Sequence, residues 1–144
     1  MEATALLTSA PPGTRITSSM GRIRQTIKVD GQECSTPFDT DARNTYVIPS
    51  VAKALRTEPT PRTIRMALGG GIKETNTEAH LHAEIQDHQI STYALVVENI
   101  GKDEEGKPIE ILFGALAMQQ WGIRPIPDEK RLDLSHYPEE FVEF

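Results

Sequence analysis

Apolar residues recur at every second position in this chain, in several short segments separated by glycine. In residues 22–29, Ile23, Ile27 and Val29 share one parity with Gln25, while Arg24, Thr26 and Lys28 take the other. A period of two puts alternate side chains on opposite faces, so the segment reads as a half-buried strand. Asp30-Gly31 follows, a pair that accepts the positive φ of a two-residue hairpin turn. The alternation returns in 62–68 through Ile64, Met66 and Leu68, in 79–85 through Leu81, Ala83 and Ile85, and in 91–98 through Tyr93, Leu95 and Val97. Residues 115–121 have the composition of a helix, closed by Gly122 as a C-terminal cap, and a short helical turn is expected at 51–56 with Ser50 as its cap. The expected fold class is all-β with one short C-terminal helix.

Between these segments the chain punctuates itself. Pro37 sits inside the strand that follows Asp30-Gly31 and marks an edge or a place where ladder pairing is not needed. Pro59 and Pro61 are expected to hold an extended loop, and Asp87-His88 a turn. Gly69-Gly70-Gly71 marks a hairpin tip or a close approach of backbone to something bound. Residues 101–107 form a charged surface loop, and Ile109 to Phe113 a short apolar strand buried on both faces. Residues 1–19, rich in Ala, Thr, Ser and Pro, read as a flexible leader. Residues 20–127 form the domain, and 128–144 a tail whose Leu132, Leu134, Tyr137 and Phe141 must dock on the body or on a partner.

Composition removes several function classes. The chain of 144 residues is about one domain's worth and carries a net charge of −6, with no cluster of Lys and Arg, so nucleic acid is not the expected partner. No apolar run approaches the roughly 20 residues of a membrane-spanning helix. Cys34 is the only cysteine, which leaves no intrachain disulfide framework, and a soluble cytoplasmic protein is the expectation.

One stretch breaks the β pattern in a chemically pointed way. In Phe38-Asp39-Thr40-Asp41-Ala42-Arg43-Asn44-Thr45-Tyr46-Val47 an acid stands between an apolar approach and an apolar exit, where an ionised carboxylate loses hydration unless hydrogen bonds or chemistry compensate. An acid followed by a hydroxyl residue, reached from a strand and followed by Ala, resembles the active-site loop of the retropepsin-like aspartic proteases, whose pattern is apolar-Asp-Thr/Ser-Gly-Ala. Gly69-Gly70-Gly71 lies where that family places its substrate-covering flap. Ile111-Leu112-Phe113-Gly114-Ala115-Leu116-Ala117-Met118 resembles the segment and helix that complete its fold.

The resemblance implies a closed acid-protease-like β-barrel half and an endopeptidase without metal or cofactor. Asp39 is implied as the catalytic residue, with Thr40, Asp41 and Ala42 as its supporting loop, and Gly69, Gly70 and Gly71 as the flap over a peptide or protein substrate. Because the chain holds one such loop, the resemblance implies a homodimer with one Asp39 from each copy. Two departures accompany it. Asp41 stands where the family has Gly, adding bulk, backbone restriction and negative charge, which is expected to impair cleavage and weaken dimerisation. Arg43 and Ala115 stand where retroviral members often carry an acid and an Arg that pair.

Other readings stay open on the residues alone. Asp39 and Asp41 also read as turn acids, and the glycines as a loose turn. His80, His82 and Glu84 share one strand face, which serves as a solvent face or as part of a metal site for a hydrolase. A catalytically inactive dimerisation or peptide-binding module with the same fold is the main alternative to an enzyme.

Overall fold

A computed structural model describes residues 22–140. The leader 1–19 and the tail residues Phe141, Val142 and Phe144 lie outside the described residues. Strands β1 (Arg22–Val29) and β2 (Gln32–Asp39) form a hairpin around Asp30 and Gly31, whose φ values of 52° and 77° match the right-handed twist of the strands they join. There follow β3 (Tyr46–Val47), α1 (Pro49–Ala52), β4 (Arg56–Leu68), β5 (Gly71–Ile85), β6 (His88–Val96), β7 (Ile111–Leu112), α2 (Ala115–Trp121), β8 (Arg124–Ile126) and β9 (Arg131–Asp133).

Seven strands make one sheet in the order β2-β1-β5-β6-β3-β7, with β4 paired to β5. All neighbours are antiparallel except β3 and β6. The all-β expectation therefore holds, but the barrel is not closed. The two ends of the order, β2 and β7, meet only through a single parallel bridge from Phe38 to Phe113. Two features limit that seam. β7 is two residues long rather than the expected five, and Pro37 has no N–H to extend the ladder. The Pro37 carbonyl accepts from Phe113 N at 2.9 Å, on the side away from β1, so the proline costs β1 no ladder bond.

Other boundaries moved for local reasons. Helix α1 starts at Pro49 with Ile48 as its N-cap, not from Ser50, because a proline in the first turn needs no N–H partner. Pro59 and Pro61 lie within β4 rather than in a loop. Pro59 pairs with Thr77 and Ile64 with Thr75, so residues 60–63 bulge opposite Asn76 alone. Strand β5 runs unbroken from Gly71 through the expected segment 79–85, and the turn after it falls on Gln86 and Asp87, both at positive φ. Helix α2 spans the expected residues and ends at Gly122 with φ 66°.

Two apolar clusters result. The larger gathers Ile27, Phe38, Leu81, Ile85, Phe113 and Met118. Phe38 and Phe113 are fully buried with ring centroids 4.8 Å apart, each contributing roughly 1.5–3 kcal/mol by burial. Leu132 and Leu134 join the same cluster, and Tyr137 stacks on Trp121 while its hydroxyl donates to the Gln89 carbonyl. The smaller cluster contains Tyr46, Leu68, Leu95, Val97, Ile100, Ile109 and Leu112.

The strand β5 pairs in the ladder with β6 only from Glu78 onward. Residues 71–77 pair with β4 alone, so the distal parts of β4 and β5 extend past the sheet as a two-stranded arm. Ile64, Met66 and Leu68 turn the arm's apolar face onto the smaller cluster. The buried Thr75 hydroxyl donates to the Val96 carbonyl at 2.6 Å, fixing the arm at one point on β6.

Candidate active site

Strand β2 ends at Asp39, and the loop after it is held by its backbone. Asp39 N donates to Phe113 O at 3.0 Å, and Ala42 N donates to Asp39 O at 3.2 Å, closing a tight turn. The first N–H groups of α2, which a helix leaves without partners, point at the loop. Ala115 N donates to Ala42 O at 2.7 Å and Leu116 N to Arg43 O at 3.1 Å. Gly114 N donates to the buried Thr45 hydroxyl at 3.0 Å. This approach is possible only because residue 114 has no side chain: a Cβ there would lie 2.1 Å from Asn44 O.

The Asp39 carboxylate leaves this framework half-buried, and both its oxygens are engaged. Oδ1 accepts from Asp41 N at 2.9 Å. Oδ2 accepts from Arg22 Nη2 at 2.6 Å and Nε at 3.3 Å. Arg22 is its direct neighbour across the β1–β2 ladder. Next to it on β1, Arg24 pairs with Asp103 and Glu104, both at 2.7 Å, and so ties the 101–107 loop to the sheet. Asp103 also accepts from the Lys107 and Glu105 N–H groups at 2.9 and 2.8 Å. The Lys107 hydrogen bond, helped by that of Glu105 and by the Arg24 charge, holds the Asp103 carboxyl below its ordinary range against the opposing effect of burial.

Thr40 and Asp41 are exposed and Ala42 is half-buried against the smaller cluster. Asp41 is not among the positive-φ residues, so the backbone restriction expected of a carboxylate residue at the motif's glycine position is not imposed within the single chain. The bulk and charge remain. Arg43 is exposed, and its carbonyl is the atom that α2 holds.

The arm brings the glycines to the same place. Asp39, Asp41, Arg22, Leu68, Gly69 and Ile100 line a cleft of about 380 Å³. Gly69 and Gly70 form the tip at φ 60° and 82°, and Gly71 begins β5. Only Gly69 makes a close approach, since a Cβ there would be 2.8 Å from Ile100 O, whereas Gly70 and Gly71 face open space. The histidines lie elsewhere. His80 Nε2 is 3.3 Å from Glu58 Oε1 and its ring meets Tyr93 edge-on, on the wall of a separate groove that His82 also lines. Among the described residues no three His, Cys, Asp or Glu side chains are grouped to hold a metal ion.

Arg22 is the site residue that the sequence reading missed. The signal was available: a two-residue turn at Asp30-Gly31 pairs Val29 with Gln32, and stepping outward places Arg22 opposite Asp39.

Solved structures resemble this arrangement of strands. The retroviral protease-like domain of Ddi1 from Leishmania major aligns with a TM-score of 0.55 at 11% identity, covering 79% of this chain and 88% of that one. The EIAV protease complexed with the inhibitor HBY-793 aligns at 0.48 and 17% identity, covering 74% and 95%. The simian foamy virus (mac) protease aligns at 0.46 and 14%, covering 72% and 99%. The sequence matches no protein-family model and no curated protein. The likeness to the Leishmania domain is one of fold, and the fold of this chain is retropepsin-like.

Proposed function

We propose that this retropepsin-like chain is one half of an aspartic endopeptidase, in which Asp39 from each of two copies meets its counterpart across a two-fold axis. The observation that carries this reading is the convergence of Asp39 and the Gly69 tip on one cleft. Hydrolysing a peptide without a metal needs a base to activate water and an acid to protonate the leaving group. Two carboxyl groups that share one proton supply both. One chain carries one such loop, so the second comes from a second copy. In this reading Thr40 ties the two loops together, and the arm covers an extended peptide that pairs with strand edges. The retroviral protease-like description of the Leishmania domain supports the reading at the level of fold.

Asp39→Asn tests it, because the amide keeps the shape of the side chain and removes its acid-base capacity. Acid-pH, pepstatin-sensitive cleavage of an unfolded protein should fall by about three orders of magnitude, with thermal unfolding preserved. Undiminished cleavage by that variant would sink the reading. A second reading, a non-enzymatic dimerisation or peptide-binding module, is favoured by the exposed Asp41 beside Asp39. Peptide binding that survives Asp39→Asn, from a wild-type protein that cleaves at no pH, would decide for it.

A further inference from the structure

The pairing of Arg22 with Asp39 has no part in the reaction just proposed, and it stands in its way. Arg22 donates to Oδ2 through both Nη2 and Nε, while Asp41 N–H holds Oδ1, so one chain by itself occupies both carboxylate oxygens. This is not a chance meeting of two long surface side chains. Arg22 and Asp39 are direct partners in an antiparallel ladder that runs from that pair to Val29 and Gln32 without a slip. Their side chains are only 31% and 13% exposed. Arg24, next on the same side of β1, has Asp103 and Glu104 as its own acceptors, which leaves Asp39 to Arg22. Charge-assisted hydrogen bonds of this kind are about twice as strong as neutral ones. A dyad requires the two carboxyl groups to share a proton across a short hydrogen bond, and two Arg22 donors with the Asp41 N–H compete for the acceptor sites of the carboxylate that such a bond needs.

We propose that Arg22 is an internal latch on Asp39, covering the carboxylate in the single chain and giving way to the partner chain's carboxyl only when a dyad assembles. The proposal rests on the peptidase reading of Asp39 and adds a control on that site. A freshly made or dilute chain is inert not only because its second acid is missing but because its first is already taken.

Alkylation by an epoxide reads the availability of Asp39 without requiring catalysis, since a carboxylate oxygen opens the ring and the ester is located by mass spectrometry. With dilute, monomeric full-length protein near neutral pH, 1,2-epoxy-3-(4-nitrophenoxy)propane should label Asp39 about tenfold faster in Arg22→Gln than in wild type, with labelling of Asp41 as the internal reference. Arg22→Lys keeps the charge but loses the planar fork and should fall between the two. Should Arg22→Gln fail to fold, the comparison of Arg22→Lys with wild type provides the second measurement. An Asp39-to-Asp41 labelling ratio that is the same in wild type and in every variant that folds would overturn the latch. Peptide cleavage by wild-type protein, concentrated until sedimentation shows a dimer, reports on the other reading separately. Faster Asp39 labelling in the dilute variant, together with no cleavage by the wild-type dimer, would uphold the cover on Asp39 and remove the peptidase.

Discussion

Residues 39–45 and the arm of β4 and β5 border one cleft, the first fastened by backbone hydrogen bonds to Phe113 and the start of α2, the second by one hydroxyl bond and a strip of apolar side chains. The loop has little freedom because Gly114 lets two backbones lie against each other. The arm beyond Glu78 pairs only with itself, carries a bulge opposite Asn76, and ends in two residues at positive φ. A reacting group gains from a fixed position, and a cover must move for substrate to enter. In the proposed peptidase the two walls of the cleft divide those demands between them.

The sharpest way to break this contrast is Gly114→Ala. A methyl 2.1 Å from Asn44 O forces the loop off α2, and we expect a loss of about 3 kcal/mol in urea unfolding. A loss below about 1 kcal/mol would mean that the loop yields as easily as the arm. Leu68→Ala strikes the other wall. It removes the arm's most buried apolar side chain, and amide exchange of residues 71–77 should report openings favoured by about 2 kcal/mol, while the amides of 39–45 stay protected. Equal exposure of both segments would show that they open as one unit.

Two smaller effects sharpen the picture. Asp41→Gly removes one exposed carboxylate per copy beside Asp39 and should raise dimer affinity or cleavage about tenfold, measured by sedimentation and by peptide hydrolysis. No change in either would place Asp41 away from the axis. The smallest effect concerns pH at the edge of the cleft. Asp103 has a carboxyl held below its ordinary value of about 3.9, so its stabilising contribution is present above that value and is lost as pH falls through the lower folded one. Protection of the Glu105 and Lys107 amides, taken relative to their intrinsic exchange rates at each pH, should hold from about pH 7 down to about pH 4 and fall below it. A loss of protection already near pH 6 would show that Asp103 does not hold the loop.

Much of the fold was legible because its strands alternate where only one face is buried. The hairpin at Asp30-Gly31 and the span of α2 followed from residues whose conformational preferences act locally. The failures have a common origin in what strand neighbours supply. Pro59 and Pro61 looked like a loop, yet among the described strands β4 has β5 as its only ladder partner, so a missing N–H there can face outward and the register can slip. Ile109 to Phe113 looked like one buried strand, yet only Ile111 and Leu112 pair in the ladder with β3. At the site, Asp39 stood out as an acid in apolar surroundings. Its companion Arg22 did not, because an arginine on the polar side of an alternating strand looks solvated until the register is counted. The place of the arm's tip at the Asp39 cleft was legible only through the family resemblance, since it depends on Gly69 lying close to the Ile100 carbonyl, an approach between segments with no local signal.

The self-contained pairing of the arm makes its length a separate variable from everything beneath it. Each residue added to both β4 and β5 beyond the Thr75 attachment would carry the tip about 3.4 Å further without shifting any partner in the rest of the sheet. Reach across the cleft is therefore set by a count of residue pairs, a dimension that insertions can tune while the floor that presents Asp39 stays as it is.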